Sequence, residues 1–188
     1  MNILYIDTHD KEVNLIIYEN NILKRQLIIN EYKQLSEVMI NSIDRILNDA
    51  NLELKDINQI CVVSGPGSFT STRIGVTIAK TLSYCLNVDI KCTTYLEILG
   101  YQVKDNSNKI IEMPEKNGHF IATYKDDIVS EMFYLSNKEY EEYKNKNSVY
   151  ENLSIDYQQL IEFIKNLPTS NKFDVNPVYI KTIGALNG

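Results

Sequence analysis

The sequence predicts an α/β protein in which helices cover a mixed β-sheet. Two observations lead to this prediction. Three short apolar stretches near the start are separated by turn-forming residues, and strand-like and helical segments alternate after them. The hydrophobic fraction of 44% and the charged fraction of 23% are typical of a soluble globular protein, and no apolar run is long enough to span a membrane.

The first three stretches form the start of this pattern. Residues 2–7, 12–18 and 22–29 are rich in Ile, Leu and Tyr, and the turn-prone segments THDK and ENN separate them. A three-strand meander is therefore expected here.

A change of period marks the next segment, residues 32–50. Apolar residues recur there at spacings of three and four, while polar residues occupy the other side, which predicts an amphipathic helix. The recurring residues are Leu35, Met39, Ile43, Ile46, Leu47 and Ala50.

The order of the remaining elements defines the fold class. A strand is predicted at 57–64, then the turn GPGSFT, a helix at 73–86 and a strand at 88–92. The resulting βββαβαβ order is that of the ribonuclease H-like core of the actin and sugar-kinase superfamily. We therefore predict an α/β fold of this class.

The second half of the chain is more polar. After Gly100 the segment VKDNSNKIIEMPEKNG is rich in turn-forming residues, which predicts a linker or domain junction near residues 101–118. We expect one domain at 1–100 and a reduced second domain at 101–188. Within the latter, residues 119–124 and 128–135 are expected to form a hairpin, and 157–167 a helix.

Charge and cysteine content limit the classes of function. The net charge of −6 opposes binding of nucleic acid by this chain alone. Cys61, Cys85 and Cys92 lie in apolar segments without metal-ligand spacing, so reduced structural thiols are expected. No leader-like stretch follows Met1, and we expect a cytoplasmic location and no membrane association.

Side chains for catalysis are scarce. His9 and His119 are the only histidines, and neither belongs to a motif with metal-ligand spacing. Ser68 has no motif-placed acid or histidine, and GPGSF is not a hydrolase nucleophile elbow. We therefore predict no catalytic residue and no metal site. Asp7 ends the first strand, where it either bonds turn amides or contacts a nucleotide.

The longest motif joins a predicted strand to a predicted helix and reads SGPGSFTSTRIGVTIAK. Gly65 and Gly67 permit backbone conformations that other residues avoid, Pro66 restricts one φ, and Ser68 or Thr70 can cap the helix. Such a turn either holds an anion through its N–H groups or stabilises only itself. It is neither a P-loop nor a dinucleotide fingerprint.

This motif resembles the signature of the TsaB (YeaZ) family. Two shorter segments are also similar to that family: ILYIDT near the start, and NPVYIK near the end, where Lys181 replaces the usual Arg. The resemblance covers residues 1 to about 100 and the last dozen. Ser71 stands where family members usually have Gly, Tyr32 and Lys33 where they have His, and residues 114–121 lack the family's Asp.

The resemblance implies a function. It implies a non-catalytic scaffold that binds TsaD and supports formation of N6-threonylcarbamoyladenosine in tRNAs reading codons that begin with A. TsaE is implied as a further complex member, tRNA contact only through the complex, and a homodimer when TsaD is absent. No cofactor of its own is expected, but contact with ATP or ADP at the partner interface is left open. Candidate residues for an anion or nucleotide contact at the motif turn are Asp7, Gly65, Gly67, Ser68 and Thr70.

Both predicted helices carry more apolar surface than one core face requires. The apolar arc of the second helix is about 140° wide, against roughly 100° for a core stripe. Gly75 and Ala79 are small, so they favour close approach either of a partner helix or of the chain's own sheet. The candidate partner interface comprises Leu35, Met39, Ile40, Ile43, Leu47, Ile74, Gly75, Ile78, Ala79, Leu82 and Leu86.

Other classes of function remain as alternatives. One is a small-molecule phosphotransferase of the actin-like superfamily, and another is a glycoprotease-like hydrolase. The sequence lacks recognisable metal ligands and phosphate motifs, which argues against both. A homodimeric interaction module without a role in tRNA modification is the third.

Overall fold

The computed structural model describes residues 1–104 and 106–180, so that Lys181 lies outside the described residues. The chain forms two compact units. The first consists of Met1–Thr94 and Tyr157–Val178, and the second contains Tyr95–Asp156 together with residues from Tyr179. The first unit therefore combines segments that are far apart in the sequence.

The first unit is built on a five-stranded mixed sheet with the strand order β3-β2-β1-β4-β5. Its first three strands form the predicted antiparallel meander, and β4 and β5 continue the sheet in parallel with β1. The strands are β1 (Asn2–Asp7), β2 (Val13–Glu19), β3 (Ile22–Ile29), β4 (Gln59–Val63) and β5 (Asp89–Thr93).

Two helices connect the parallel strands. Helix α1 (Leu35–Asp49) leads from β3 to β4, and α2 (Phe69–Leu86) leads from β4 to β5. Because β3, β4 and β5 run in the same direction, the two helices run parallel to each other on the sheet. The predicted βββαβαβ order is confirmed, but α2 begins four residues before the predicted start at 73. Ser68 caps it by accepting a bond from the amide of Ser71.

The main core lies between this helix pair and one face of the sheet. Alternate side chains of β1, β2 and β4 point toward the helices, and each of these strands is almost entirely buried. Members of this core include Leu4, Ile6, Leu15, Ile17, Ile60, Val62, Met39, Ile46, Val76 and Ala79.

A buried lysine connects the other face of the sheet to α5 (Leu160–Asn166), a helix in the closing segment of the first unit. Lys91 on β5 is 7% exposed, and its Nζ donates to the carbonyl oxygens of Ile164 and Lys165, each at 2.8 Å. These carbonyls belong to the last turn of the helix, where a cation is favourable. The predicted helix at 157–167 is thus confirmed in a shorter form.

The second unit contains an antiparallel three-stranded sheet in the order β6-β7-β8. Strands β7 and β8 form the predicted hairpin. The predicted linker at 101–118 is wrong for residues 110–115, because they form β6 and Ile111 is fully buried. The elements are α3 (Tyr95–Gln102), β6 (Ile110–Glu115), β7 (Gly118–Lys125), β8 (Ile128–Ser136) and α4 (Asn137–Lys144).

In the second unit, His119 contacts a buried carboxylate and stacks on a tyrosine ring. Its Nδ1 lies 2.6 Å from Oε1 of the buried Glu112, and its ring stacks on Tyr140 with centroids 3.9 Å apart. The hydroxyl of Tyr140 donates to Glu151 at 2.8 Å. These contacts attach α4 to the sheet of the second unit.

Candidate functional site

The three sequence segments that carry the motifs meet in the first unit. Thr8, which follows β1, donates from Oγ1 to the carbonyl oxygen of Ser71 at 2.8 Å. The amide of Ser68 donates to the carbonyl oxygen of His9 at 2.6 Å. From the closing segment, the amide of Val178 donates to Ser64 at 2.7 Å. Hydrogen bonds therefore join the end of β1, the glycine turn and the closing segment.

Close approach of other backbone segments explains both glycines of the turn. Gly65 and Gly67 have φ values of +111° and +153°, which other residues rarely adopt. A methyl group at position 67 would collide with the carbonyl of His9, and one at position 65 would lie 3.0 Å from the carbonyl oxygen of Val178. The peptide bond between Gly65 and Pro66 is cis.

The carboxylate of Asp7 is 2% exposed and is surrounded by donors from its own chain. It accepts bonds from the amide of His9 at 3.1 Å and from the hydroxyl of Tyr5 at 3.2 Å. The ring Nδ1 of His9 lies 2.7 Å from the same carboxylate. These are the contacts expected of a residue that orders the turn after a strand. A nucleotide contact by Asp7 stays a prediction.

Two opposing effects act on the pKa of His9. Burial favours the neutral ring and lowers its pKa, but the Asp7 carboxylate and the hydrogen bond to it favour the protonated ring. The attraction prevails, and the pKa of His9 is raised above its usual 6.5. His9 was not among the predicted site residues, and its position two residues after Asp7 is the signal that could have indicated it.

The other ionisable groups near Asp7 are kept neutral. Burial, followed by the charge of Asp7, raises the pKa of Tyr5 well above its usual value and that of Tyr157 to about 12. Burial also raises the pKa of the Cys61 thiol. The hydroxyl of Tyr5 therefore remains a donor to Asp7 at neutral pH.

The predicted motif residues are only partly brought together. Asp7, Gly67 and Ser68 are linked through His9, whereas Thr70 lies exposed in the first turn of α2. Ser68 accepts the bond that caps α2. The arrangement joins backbone segments to one another, and it explains the residue types of the turn without a ligand.

Most side chains of the predicted partner interface are used inside the first unit. Ile40 is the exception among them, because 58% of it is exposed. A methyl group at Gly75 would collide with the side chain of Thr8, so this small residue serves the chain's own packing. Leu35, Met39, Ile43, Leu47, Gly75 and Ala79 are buried, and Ile74, Ile78, Leu82 and Leu86 are partly buried against the same core. Contact of these two helices with a partner stays a prediction.

The outer side of α2 carries large side chains that the predicted interface omitted. Phe69 is 51% exposed and Tyr84 is 67% exposed. The guanidinium of Arg73 lies 3.7 Å from the centroid of the Phe69 ring. Phe69 was missed because the helix was predicted to begin at residue 73. Tyr84 lies outside the apolar arc of α2 from which the interface was predicted.

Residues 170–173 lie next to α2 and extend the surface formed by its outer side. The ring of Phe173 meets that of Tyr84 edge-on with centroids 6.5 Å apart, and Lys80 donates from Nζ to the Phe173 carbonyl at 3.1 Å. An open cavity of about 620 Å³ lies beside them. Its lining residues are Tyr84, Asn87, Ser170, Asn171, Lys172 and Phe173.

The described residues contain neither a cluster of metal ligands nor a helix that could span a membrane. Within residues 1–104 and 106–180, no three His, Cys, Asp or Glu side chains are grouped so that they could hold a metal ion. No helix in these described ranges is long and apolar enough to cross a membrane.

The sheet order, the two crossover helices and the glycine turn beside the end of β1 define the class of protein. It is an α/β protein whose strand order and connections are those of a ribonuclease H-like fold, as predicted. A Pseudomonas aeruginosa crystal structure, described as an uncharacterized protein with similarity to peptidase YEAZ, has this fold. It matches with a TM-score of 0.70 at 12% identity, over 96% of this chain and 99% of that one.

The family model described as TsaD, tRNA N6-adenosine threonylcarbamoyltransferase, matches residues 20–117. This is more than half of the chain, which therefore belongs to this family. A Bacillus subtilis relative, tRNA threonylcarbamoyladenosine biosynthesis protein TsaB, is 34% identical over 100 residues. The match covers 53% of this chain and 44% of that relative. The predicted resemblance to the TsaB family is confirmed.

Catalytic members of the family are also related to the chain. The tRNA N6-adenosine threonylcarbamoyltransferase of Prosthecochloris aestuarii is 24% identical over 141 residues, covering 63% of this chain and 41% of that protein. The matches thus span less than half the length of these curated relatives.

Proposed function

We propose that this protein is a non-catalytic subunit for the formation of N6-threonylcarbamoyladenosine in tRNAs reading codons that begin with A. It binds the TsaD-type transferase, with TsaE as a further member of the complex, in the cytoplasm. The roles that the names of its relatives give in the biosynthesis of this nucleoside support the proposal. Its acidic net charge supports contact with tRNA through the complex rather than by this chain alone.

The exposed side chains of the α1 and α2 pair are the observation that carries the partner proposal. Ile40 on α1 and Phe69 and Tyr84 on α2 are all more than half exposed. Large aromatic and aliphatic side chains of this kind are typical anchors of protein interfaces. The family match at residues 20–117 includes both helices, so the transferase family shares this part of the fold.

The scaffold role is supported by the environment of Asp7. Its hydrogen bonds come from Tyr5 and His9 of the same chain, and the glycine turn packs against the backbone of His9. We propose that these groups maintain the fold beside the helix pair. Contact with ATP or ADP at the partner interface, and a homodimer in the absence of the transferase, are further elements of the proposal.

Co-purification with the transferase of the same organism tests the partner. Ile40→Asp and Tyr84→Asp each place a charge on the proposed contact and are expected to reduce co-elution in size-exclusion chromatography. Ile128→Asp is the matched control, because Ile128 on β8 is 72% exposed and lies in the second unit. Equal co-elution of all three variants would place the contact elsewhere.

A reconstituted pathway tests the role. The protein alone is expected to transfer no threonylcarbamoyl group and to cleave no peptide. Modification of tRNA is expected once the transferase and the other pathway enzymes are added. Turnover by this protein alone that Asp7→Ala abolishes would contradict the scaffold role.

A further inference from the structure

The outer faces of the two helices carry charges of opposite sign. Helix α2, with the sequence FTSTRIGVTIAKTLSYCL, contains Arg73 and Lys80 and no acidic residue. Helix α1 contains three acidic residues and only one basic residue, Arg45, which lies 3.9 Å from Asp49. A positive helix and a negative helix therefore lie side by side on a chain whose net charge is −6.

The charges on each helix form narrow stripes. At 100° per residue, Arg73 and Lys80 fall within an arc of about 60° that also contains Phe69 and Tyr84, and this stripe is about 22 Å long. Phe69, Arg73 and Tyr84 are exposed and Lys80 is partly exposed. The stripe thus places two cationic side chains between two aromatic ones.

The acidic stripe of α1 has the same regularity. Glu37 and Asp44 are seven residues apart, which places them about 20° from each other around the helix. Both are exposed, and Ile40 lies exposed between them in the sequence. Each stripe therefore has an apolar anchor next to its charges.

We infer that this charge polarity selects and orients the partner, an inference that rests on the proposed function. The transferase is then expected to present a helix pair with acidic residues opposite α2 and basic residues opposite α1. The transferase family shares the matched region that contains both helices, so an equivalent helix pair is the surface that it can present. Complementary charges fix the register of such a contact, and like charges exclude the reversed arrangement.

Charge reversal tests the inference. Arg73→Glu/Lys80→Glu is expected to weaken the Kd for the transferase at least about tenfold at 0.1 M salt, with most of the difference lost near 1 M, where charges are screened within about 3 Å. Glu37→Lys/Asp44→Lys is expected to act in the same direction. The matched control Lys116→Glu/Lys125→Glu has the same change in net charge, on exposed side chains of the second unit, and is expected to bind like wild type.

The outcomes distinguish a failure of transferase binding from a failure of the charge polarity alone. If the wild type does not bind the transferase, the proposed function and this inference both fall. If the wild type binds and both reversals leave the Kd and its salt dependence unchanged, only the charge polarity falls. Self-association or tRNA binding by the wild type alone that Arg73→Glu/Lys80→Glu removes, while transferase binding persists, would assign the stripe to that other partner and overturn the inference.

Discussion

The amide of Val178 donates a hydrogen bond of 2.7 Å to the carbonyl oxygen of Ser64, although the two residues are 114 positions apart. Ser64 begins the glycine turn, and Val178 ends the portion of the closing segment that belongs to the first unit. The conformation of the turn therefore depends on a segment that follows residues 95–156 of the second unit in the sequence.

Gly67→Ala is expected to destabilise the protein by about 2 kcal/mol or more, because the added methyl group collides with the His9 carbonyl at a φ of +153°. Thr70→Ala is the control in the same motif, since Thr70 is exposed, and its effect should stay within about 0.5 kcal/mol. Urea unfolding measures both. Equal stability of Gly67→Ala and wild type would contradict the close approach.

The pair formed by His9 and Asp7 predicts a pH dependence. The folded-state pKa of His9 is raised above 6.5. The stabilisation of the folded protein by the pair of protonated His9 and Asp7 is therefore fully present below pH 6.5, and it is lost as the pH rises through the folded-state pKa. The difference in unfolding free energy between wild type and His9→Gln should therefore shrink as the pH rises. Asp7→Asn should remove the same pH-dependent component, since the negative charge is the cause. If the difference in unfolding free energy between wild type and His9→Gln does not vary with pH, the raised pKa of His9 in the folded state is wrong.

Lys91→Met is expected to cost about 2 kcal/mol, because the last-turn carbonyls of Ile164 and Lys165 lose their buried donor. Lys165→Met is the matched control. The ammonium of Lys165 pairs with Glu162 at the surface, and removing that pair should cost less than about 1 kcal/mol. Thermal and urea unfolding would compare the two variants. A larger loss in Lys165→Met would show that Lys91 does not secure α5.

Asp7→Asn is expected to leave tRNA modification by the reconstituted complex within tenfold of wild type, because Asp7 is engaged by donors of its own chain. Rates should be compared at a temperature where the variant is folded and bound to the transferase. A larger loss under those conditions, more than about 1.4 kcal/mol of transition-state stabilisation, would assign a ligand to Asp7.

Ala79→Arg is expected to unfold the protein rather than to remove only its partner. Ala79 is fully buried in the core between α2 and the sheet, and that core has no space for a guanidinium group. Circular dichroism melting of the variant alone measures this. A variant that melts like wild type would show that position 79 is accessible from outside.

The local pattern of the sequence was sufficient for the elements of the first unit. The turn segments between apolar stretches located three strands, and the three-to-four periodicity of residues 35–47 located α1, because these signals arise between close neighbours in the chain. The long glycine motif indicated the family. The periodicity also showed that Leu35 and Met39 share a helix face, but it could not show which surface covers that face.

Tertiary structure alone decided how the motif residues are used. Positions 65 and 67 favour glycine because the backbone carbonyls of Val178 and His9 lie against them. Both contacts form between segments that are far apart in the sequence. The same applies to Ala79, which was predicted at a partner seam and lies in the chain's own core. Periodicity assigns side chains to a face of a helix, whereas burial depends on which elements pack against that face.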